Sequence, residues 1–361
     1  MKRYFLLMWL LIMLPAAATA FGYLDARGSG TAVAGYSARG VSLGGVRSIG
    51  LGDGSCTLTN PAGLVRLPGA LLSVSIGPGI GNETVLDSLG QQDNNWISLS
   101  TLFAAATMGL GQDLTAGISL GRTTDFSYEG INYIYQFGQS AQLEEIREMK
   151  VTGGFFESAA GLAYRPAPWL SLGASGGLRF GSVSYDSSFT DNDQPQNDTT
   201  VTWEREADGF TLHAGAEILL NSSVIGLSWA SGDDNIDARG AAGALLYLDE
   251  NRRGAMGAEV ELMDPGDRNG TVFRIFGIVS PYESLDFRGC LNFSMPNYEN
   301  LDTGTIMGFA LGTGVYLNRV TLDGGLSWTS SSRDSIFIGT GVPDDISDSN
   351  VLISLGMTLD I

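Results

Sequence analysis

Few residues in this sequence have the type and spacing that acid–base or nucleophilic chemistry requires. The single histidine, His213, lies on the polar face of an alternating segment, together with Thr211 and Glu217. No serine or cysteine is arranged to use it as a general base in a catalytic dyad or triad. We therefore predict no catalytic residue, and we expect His213 to join a hydrogen-bond network inside the protein.

Phosphate, metal and cofactor sites are not predicted either. The glycine-rich run from Gly40 to Gly54 is not followed by Lys-Ser or Lys-Thr, which a phosphate-binding loop needs. No CxxC pair, paired histidines or cluster at ligand spacing indicates a metal site. The two cysteines, Cys56 and Cys290, either form a disulfide in an oxidising compartment or stay unpaired, and the sequence is compatible with both.

The segments that carry these polar side chains alternate between two faces, which is the pattern of strands with one apolar face. In the last segment, Val351 to Ile361, every second residue is apolar. The opposite faces are polar or small, whereas the solvent face of a β-sandwich usually carries more Lys and Glu. This difference favours strands that surround a lumen. The other clear segments are Leu170–Phe180, Thr211–Leu220, Leu285–Ser294 and Val320–Trp328.

The segment lengths predict an all-β protein whose sheet is an antiparallel transmembrane β-barrel. A tilted membrane-spanning strand needs about 9–11 residues, and several segments reach that length. A sheet in hydrocarbon must also close on itself, because an open edge would leave backbone groups unpaired. We predict about fourteen strands between Gly69 and Ile361.

The connections between strands are expected to alternate between short turns and long polar loops. The short turns are Pro166–Pro168, Asn221–Ser222 and Leu317–Arg319. The long loops are Gly81–Asn95, Phe126–Met149, Asp186–Asp208, Met295–Thr303 and Ser330–Asn350. Within the second long loop, the apolar residues of Ser140–Lys150 share one side of a helical projection, so a short helix is predicted there.

Residues 1–20 have the three parts of a secretory signal peptide. A basic start is followed by an apolar core, Tyr4–Leu14, and by the small-residue cleavage site Ala18–Ala20. The apolar core is too short to cross a bilayer as a helix, so a membrane anchor is not favoured. We expect the mature chain to begin near Phe21, outside the cytoplasm.

The charge balance excludes one class of partner. The chain has 39 acidic and 20 basic residues and a net charge of −19. Loss of the leader removes Lys2 and Arg3 but no acidic residue, which takes the net charge to −21. Nucleic acid selects basic surfaces, so we predict no nucleic-acid partner. An acidic surface suits an exported protein whose loops repel one another and stay soluble.

A glycine-rich stretch from Ala38 to Leu64 precedes the barrel segments and ends in Asn60-Pro61-Ala62-Gly63-Leu64. The proline ring fixes φ and moves Asn60 out of the helical region, so a turn is expected to begin there. Gly63 permits a backbone turn that a Cβ atom would oppose. The glycines are compatible with a flexible linker and also with a segment packed closely against other backbone.

This stretch resembles the amino-terminal hatch of the FadL/PorV superfamily of outer-membrane barrels. The matching elements are Ala38-Arg39, Leu43-Gly44-Gly45, Asp53-Gly54-Ser55 and Asn60-Pro61-Ala62-Gly63-Leu64. Tyr164–Ala174 is similar to the turn and strand that FadL-type proteins share. Arg47–Gly52 and the terminal Ile361 depart from the family pattern. The resemblance implies a signal peptide (1–20), a hatch that plugs the lumen (21–68) and a transmembrane β-barrel (69–361).

The resemblance also implies a location in the bacterial outer membrane, surrounded by lipid. We expect a monomer, because that is the default for a barrel that closes on itself. It implies uptake of long-chain fatty acids or other hydrophobic compounds, with Asn60–Gly63 as the movable element of the hatch. The alternative is a PorV-like scaffold that holds a secreted partner at the cell surface. No cofactor is implied in either case.

If the ligand carries a carboxylate head group, Arg179 and Arg288 are the expected contacts, because both lie on lumen-type faces. Alternatively, both arginines form internal salt bridges and contact no ligand. The polar residues expected around them are Asp286, Asp323, Glu217 and His213.

Overall fold

The computed structural model describes residues 30–67, 69–87, 90–136, 142–191, 198–232, 238–263, 268–298, 305–336 and 343–361. Sixteen strands lie in these residues, all in one sheet. In chain order they are β1 (Thr31–Ala32), β2 (Ala70–Asp87), β3 (Gly90–Gly109), β4 (Leu114–Asp125), β5 (Tyr128–Gln136), β6 (Gln142–Ala167), β7 (Leu170–Asp191), β8 (Thr199–Leu219), β9 (Ser223–Ala230), β10 (Arg239–Tyr247), β11 (Gly254–Met263), β12 (Arg268–Tyr282), β13 (Leu285–Tyr298), β14 (Ile306–Leu317), β15 (Val320–Ile336) and β16 (Pro343–Asp360).

Fourteen of these strands close into an antiparallel barrel, as the alternation predicts. Each of the fourteen pairs with the next wall strand along the chain, and β16 pairs with β2. The third and fourth wall strands are β4 and β6, which pair from Leu114 opposite Tyr164 to Asp125 opposite Gly154. Strand β5 pairs with the opposite end of β6 and lies outside the ring of fourteen. Strand β1 pairs with β4 and belongs to the segment before the barrel.

The two faces of the wall separate apolar from polar side chains. On β16, Ile353, Leu355 and Met357 point outward, and Leu355 is 65% exposed. Ser354, between them, points inward and is fully buried. Leu, Ile, Val and aromatic side chains form the outward face on the other strands as well, which is the arrangement that a hydrocarbon environment requires.

Short turns close one end of the barrel. The three predicted short turns are confirmed between β6 and β7, β8 and β9, and β14 and β15. The first residue of the wall and the last residue of the chain meet at this end, where Ile361 N donates to Ala70 O at 2.9 Å. Asn318 has a positive φ of 55° in the last of these turns, a conformation that asparagine tolerates.

Most of the predicted long loops are instead extensions of strands. Strand β2 runs to Asp87 and β3 starts at Gly90, so most of Gly81–Asn95 is a hairpin. Strands β6, β7, β8, β15 and β16 extend similarly into predicted loops. The predictions were wrong because polar residues interrupt the outward face of these extensions, as Asn82 and Thr84 do on β2, so the continuous apolar face that marks a membrane strand is missing. Their backbone pairing continues nevertheless.

The predicted helix over Ser140–Lys150 is also wrong within the described residues. From Gln142 onward this segment is strand β6, with β5 on one side and β7 on the other. Two neighbouring strands satisfy the backbone hydrogen bonds of the segment, which outweighs its weak helical pattern.

Residues 30–67 lie inside the barrel and are called the hatch here. They contain one short α-helix, α1 (Ala38–Ser42), and two 3₁₀ helices, Gly54–Thr57 and Pro61–Arg66. Most hatch side chains are buried, so the hatch fills this part of the lumen. The predicted signal peptide and the expected start of the hatch at residue 21 lie outside the described residues. Among the described residues, no helix has the length and apolar character needed to cross a membrane.

Candidate functional site

The motif at the end of the hatch forms a capped turn that is bonded to the wall. Asn60 is fully buried and caps the second 3₁₀ helix, with its Oδ1 accepting from Ala62 N at 3.1 Å. Its Nδ2 donates to Ser48 O within the hatch and to Leu227 O of β9 at 3.2 Å. One asparagine therefore links two parts of the hatch and the wall.

Glycines on both sides allow the hatch backbone to approach the wall closely. A Cβ atom at Gly63 would lie 2.6 Å from Gly50 Cα, within the hatch. A Cβ atom at Gly173 of β7 would collide with the backbone of Pro61 and Ala62. At Gly215 of β8 it would collide with the Asn60 side chain. The stretch is thus a packed segment, and the linker interpretation is wrong.

Arginines of the hatch pair with carboxylates of the wall at three places around the lumen. Each pair joins a hatch residue to a different strand, and the three acidic residues are buried. The pairs are Arg39 with Asp323 of β15 at 3.6 Å, Arg47 with Glu261 of β11 at 3.1 Å, and Arg66 with Glu217 of β8 at 2.9 Å. Opposite charges thus set the position of the hatch inside the wall.

Glu259 of β11 makes the densest set of contacts between wall and hatch. Its Oε2 accepts from Arg47 N at 2.9 Å, from Ser48 N at 2.6 Å and from Ser48 Oγ at 2.6 Å. Its Oε1 accepts from Arg274 of β12 at 2.8 Å. Burial alone would lower the pKa of Arg47, but Glu261, Tyr36 and Glu259 together outweigh burial and the pKa is raised. Arg47 therefore stays charged in this network.

Arg288 forms internal ion pairs, the alternative that the sequence leaves open. Its guanidinium lies 2.8 Å from Asp286 and 2.7 Å from Asp323. Tyr316 donates to Asp286 at 2.5 Å and accepts from Arg39 of the hatch at 2.8 Å. Three of the predicted site residues thus lie together, enclosed beneath the hatch.

Arg179 and His213 lie in a second place, around a carboxylate that the sequence did not single out. Glu157 of β6 is directly opposite Arg179 of β7, with 3.5 Å between their charged groups. His213 Nε2 lies 2.5 Å from Glu157 Oε1, and Thr211 donates to the same oxygen at 2.7 Å. His213 therefore belongs to a hydrogen-bond network, and Arg179 forms an ion pair with Glu157. A recess next to this group is lined by Tyr36, Arg47, Thr123 and Arg239.

The two cysteines do not form a disulfide. Both are free thiols and both are buried. Cys56 lies in the hatch between Gly50 and Gly63, and burial raises its pKa to about 12. Cys290 of β13 lies against Gly44, so small hatch residues pack onto it. Both cysteines act as small apolar residues at the junction of hatch and wall.

One stretch of the wall lacks the backbone ladder found elsewhere, and we call it the seam. Strand β3 pairs with β4 only from Phe103 opposite Gly121 to Gly109 opposite Thr115. Beyond Phe103, the described residues of β3 pair only with β2. Strand β4 loses its alternation here, since residues 121–125 are all buried. The strand is then interrupted at residues 126–127, and β5 begins after this break. The seam is thus the stretch between residues 90–102 and 122–136.

The hatch occupies the edge of β4 that β3 leaves. Thr31 and Ala32 of β1 pair with Asp125 and Thr124. The next residue, Val33, donates to Thr123 O at 3.1 Å. The start of the described hatch is therefore part of the wall at the seam.

A cluster of apolar side chains lies behind the seam, and we call it the aromatic cluster. Trp96 of β3 and Tyr128 of β5 bridge the seam with ring centroids 4.9 Å apart. Phe126 and Phe155 make an edge contact at 4.8 Å. All members are buried. The cluster consists of Trp96, Phe126, Tyr128, Met149, Val151, Phe155, Val183, Tyr185 and Ala207.

Similarity to known proteins is found in structure and not in sequence. No family model matches the chain, and no curated protein sequence matches it. The toluene transporter TodX of Pseudomonas putida superposes with a TM-score of 0.69 and 13% identity, covering 91% of this chain and 99% of TodX. A Pseudomonas aeruginosa FadL homologue superposes with a TM-score of 0.64 and 9% identity, covering 95% of this chain and 100% of the homologue. The Ralstonia pickettii toluene transporter TbuX superposes with a TM-score of 0.61 and 13% identity, covering 91% of this chain and 99% of TbuX.

These similarities span nearly the full length of both chains in each comparison. At 9–13% sequence identity, the similarity shows a shared fold and nothing more. This chain has the fold of the FadL-type outer-membrane barrels: fourteen antiparallel strands closed around an amino-terminal segment of short helices.

Proposed function

We propose that this protein is an outer-membrane channel for small hydrophobic compounds and has no enzymatic activity. The observation that carries the proposal is the seam, where a gap in the ladder of the wall is backed by the aromatic cluster. The structural similarity to toluene transporters and to a FadL homologue supports it.

The seam gives an apolar solute a path that avoids water. Beside it, Ile97 of β3 is 76% exposed on the outer surface and Leu99 also points outward, so the apolar belt reaches this level. A solute that moves from the aromatic cluster through the seam passes from an apolar interior to lipid without entering water, so the free-energy cost of hydrating its apolar surface is avoided. Backbone at membrane depth without ladder partners is tolerated only where protein covers it, and β1 supplies that cover.

Locking β1 to β4 is expected to block transport. Ala32 and Thr124 are direct partners in an antiparallel pair, so their Cα atoms are within the range of a disulfide. We expect A32C/T124C, made in a C56A/C290A background, to take up labelled toluene or palmitate into proteoliposomes at least tenfold more slowly when oxidised. Uptake should recover on reduction, because only the bond between hatch and wall changes.

The matched control for this lock is A242C/V260C, which joins two direct partners of β10 and β11 on the outer surface. This disulfide should form without affecting uptake. If the oxidised A32C/T124C protein transports as fast as its reduced form, movement of β1 is not part of the path, and the seam loses its proposed role.

The substrate class is tested by thermal stabilisation in detergent. A ligand at one hundred times its dissociation constant stabilises the folded state by about 2.7 kcal/mol. We expect palmitate or toluene to raise the melting temperature measurably. A carboxylate head group would meet Arg179 in the recess rather than Arg288, because Arg288 is enclosed by Asp286 and Asp323. A shift with palmitate that is lost in Arg179→Gln would support a fatty acid as substrate.

The scaffold alternative has one observation in its favour, namely that the hatch fills the described part of the lumen beneath the seam. A scaffold needs no path for a solute and uses its extracellular loops to hold a secreted partner. The same melting experiment separates the two functions. If palmitate and toluene both leave the melting temperature unchanged at saturation, the channel proposal fails and the scaffold is favoured.

A further inference from the structure

Two charged side chains of β4 bridge the seam where the ladder ends. The guanidinium of Arg122 donates to Leu99 O of β3, and to Gly153 O of β6 at 2.5 Å. It also lies 2.9 Å from Asp125 Oδ1. Arg122 and Asp125 are both buried. A single ion pair thus contacts three consecutive strands of the wall.

The carboxylate of Asp125 completes the bridge on the side of β3. Its Oδ2 accepts from Ser98 Oγ at 2.6 Å and from Ser100 Oγ at 2.7 Å. Its Oδ1 also accepts from Ser127 N at 2.9 Å, at the break between β4 and β5. Both oxygens are therefore occupied by donors that lie across the seam or beside the break.

The neighbouring strand is shaped to admit the arginine. A Cβ atom at Gly154 would lie 2.5 Å from Nε and Nη2 of Arg122. The Arg122 guanidinium also lies 5.9 Å from the ring centre of Phe156. The ladder between β4 and β6 shifts register between Arg122 and Thr124, which brings this part of β4 into position.

The contacts of Arg122 and Asp125 replace hydrogen bonds that a continuous backbone ladder between β3 and β4 would provide. Where β3 and β4 part, carbonyls such as Leu99 O lose a backbone donor, and water is not available inside the apolar belt. A planar guanidinium with several N–H donors can serve two carbonyls and a carboxylate at once. The hydroxyls of two serines are tied to the same pair.

We propose that Arg122 and Asp125 form a clasp that seals the seam against water and ions while the backbone ladder stays open. They are positioning residues: they hold β3, β4 and β6 at a fixed spacing while β1 moves to let an apolar solute pass. This inference rests on the proposed function, but the seal itself is measured without any substrate.

The test is R122A/D125A, which removes both charges together so that neither is left buried alone. Two readouts are used, the ion conductance of single proteins in planar bilayers and amide hydrogen exchange of β3. We expect the conductance to rise at least tenfold, and amides of residues 97–102 to exchange at least tenfold faster. Amides of residues 103–109, which keep their ladder with β4, should be unchanged and serve as an internal reference.

The matched control is K150A/E129A, which removes an exposed ion pair between β5 and β6 and should change neither readout. If R122A/D125A fails to insert, Arg122→Lys replaces it, because an ammonium keeps the charge but cannot reach three acceptors in a fork. A partial rise in conductance is then expected. Unchanged conductance and exchange, or slower exchange in residues 97–102, would overturn the clasp. If conductance and exchange change as expected but the protein transports neither toluene nor palmitate, the proposed channel function is refuted and the clasp is not.

Discussion

Replacing Gly215 by valine is expected to displace the hatch and to lower the free energy of unfolding by about 3 kcal/mol. The first atom of any side chain at this position collides with Asn60, and Pro61 Cδ lies only 3.2 Å away. Asn60 cannot move aside freely, because its amide is bonded to Ser48 O and Leu227 O. The collision therefore passes directly to the turn that closes the hatch.

Two measurements check this expectation. Unfolding in denaturant gives the change in stability, and limited proteolysis shows whether hatch bonds become accessible. Gly240→Val is the matched control, because Gly240 is also a wall glycine but the nearest atom to its Cβ position is Ser228 O at 4.0 Å. If G215V is as stable as the wild type and its hatch stays protected, the packing of the motif against β8 is not what holds the hatch.

Removing the carboxylate of Glu259 is expected to have an effect of similar or larger size. Glu259→Ala leaves Ser48 N, Ser48 Oγ and Arg47 N without their acceptor, and it takes one carboxylate from Arg274. Breaking a buried ion pair by removing one partner costs about 3–5 kcal/mol. We expect a loss of this order in the free energy of unfolding, together with release of the hatch to protease.

The control for Glu259 is an exposed pair on the same barrel. Glu283 lies 3.0 Å from Arg253, and its side chain is 90% exposed. Exposed pairs contribute about 0–1 kcal/mol, so Glu283→Ala should be nearly neutral. Glu259→Gln keeps one acceptor oxygen, so its loss of unfolding free energy should lie between those of Glu259→Ala and Glu283→Ala. An alanine variant of Glu259 that resembles the Glu283 variant would contradict the role of the wall carboxylates in holding the hatch.

The wall could be predicted from the sequence because its signal is local. A strand in a barrel places successive side chains on opposite faces. Residues that face lipid and residues that face the lumen therefore alternate along the sequence. The segments Leu285–Ser294 and Val351–Ile361 show this clearly, and their buried and exposed residues follow it. The same rule missed the strand extensions because polar residues interrupt their outward faces, so the regular alternation of a lipid-facing strand is lost there.

The partners of the charged residues could not be predicted in the same way. Arg179 meets Glu157 because β6 and β7 pair in the one register that sets these residues opposite each other. Register is fixed along the whole length of two strands, and no short segment encodes it alone. Arg288, in contrast, has an acidic residue two positions away on its own strand, and this local pair with Asp286 was among the sequence alternatives.

The sequence by itself determined the class of this protein: alternating segments predict a closed barrel, and the resemblance carried by the motif at residues 60–64 implies a hatch in front of it. Only the tertiary structure decided where the wall is incomplete and what completes it. The seam arises because β4 leaves β3 after Gly121. There Ala32 of β1 pairs with β4, while Arg122 and Asp125 of β4 bond to Leu99 O and to the Ser98 and Ser100 hydroxyls of β3. These contacts join residues that are far apart in the chain, and they form because buried backbone groups must find partners wherever the ladder stops.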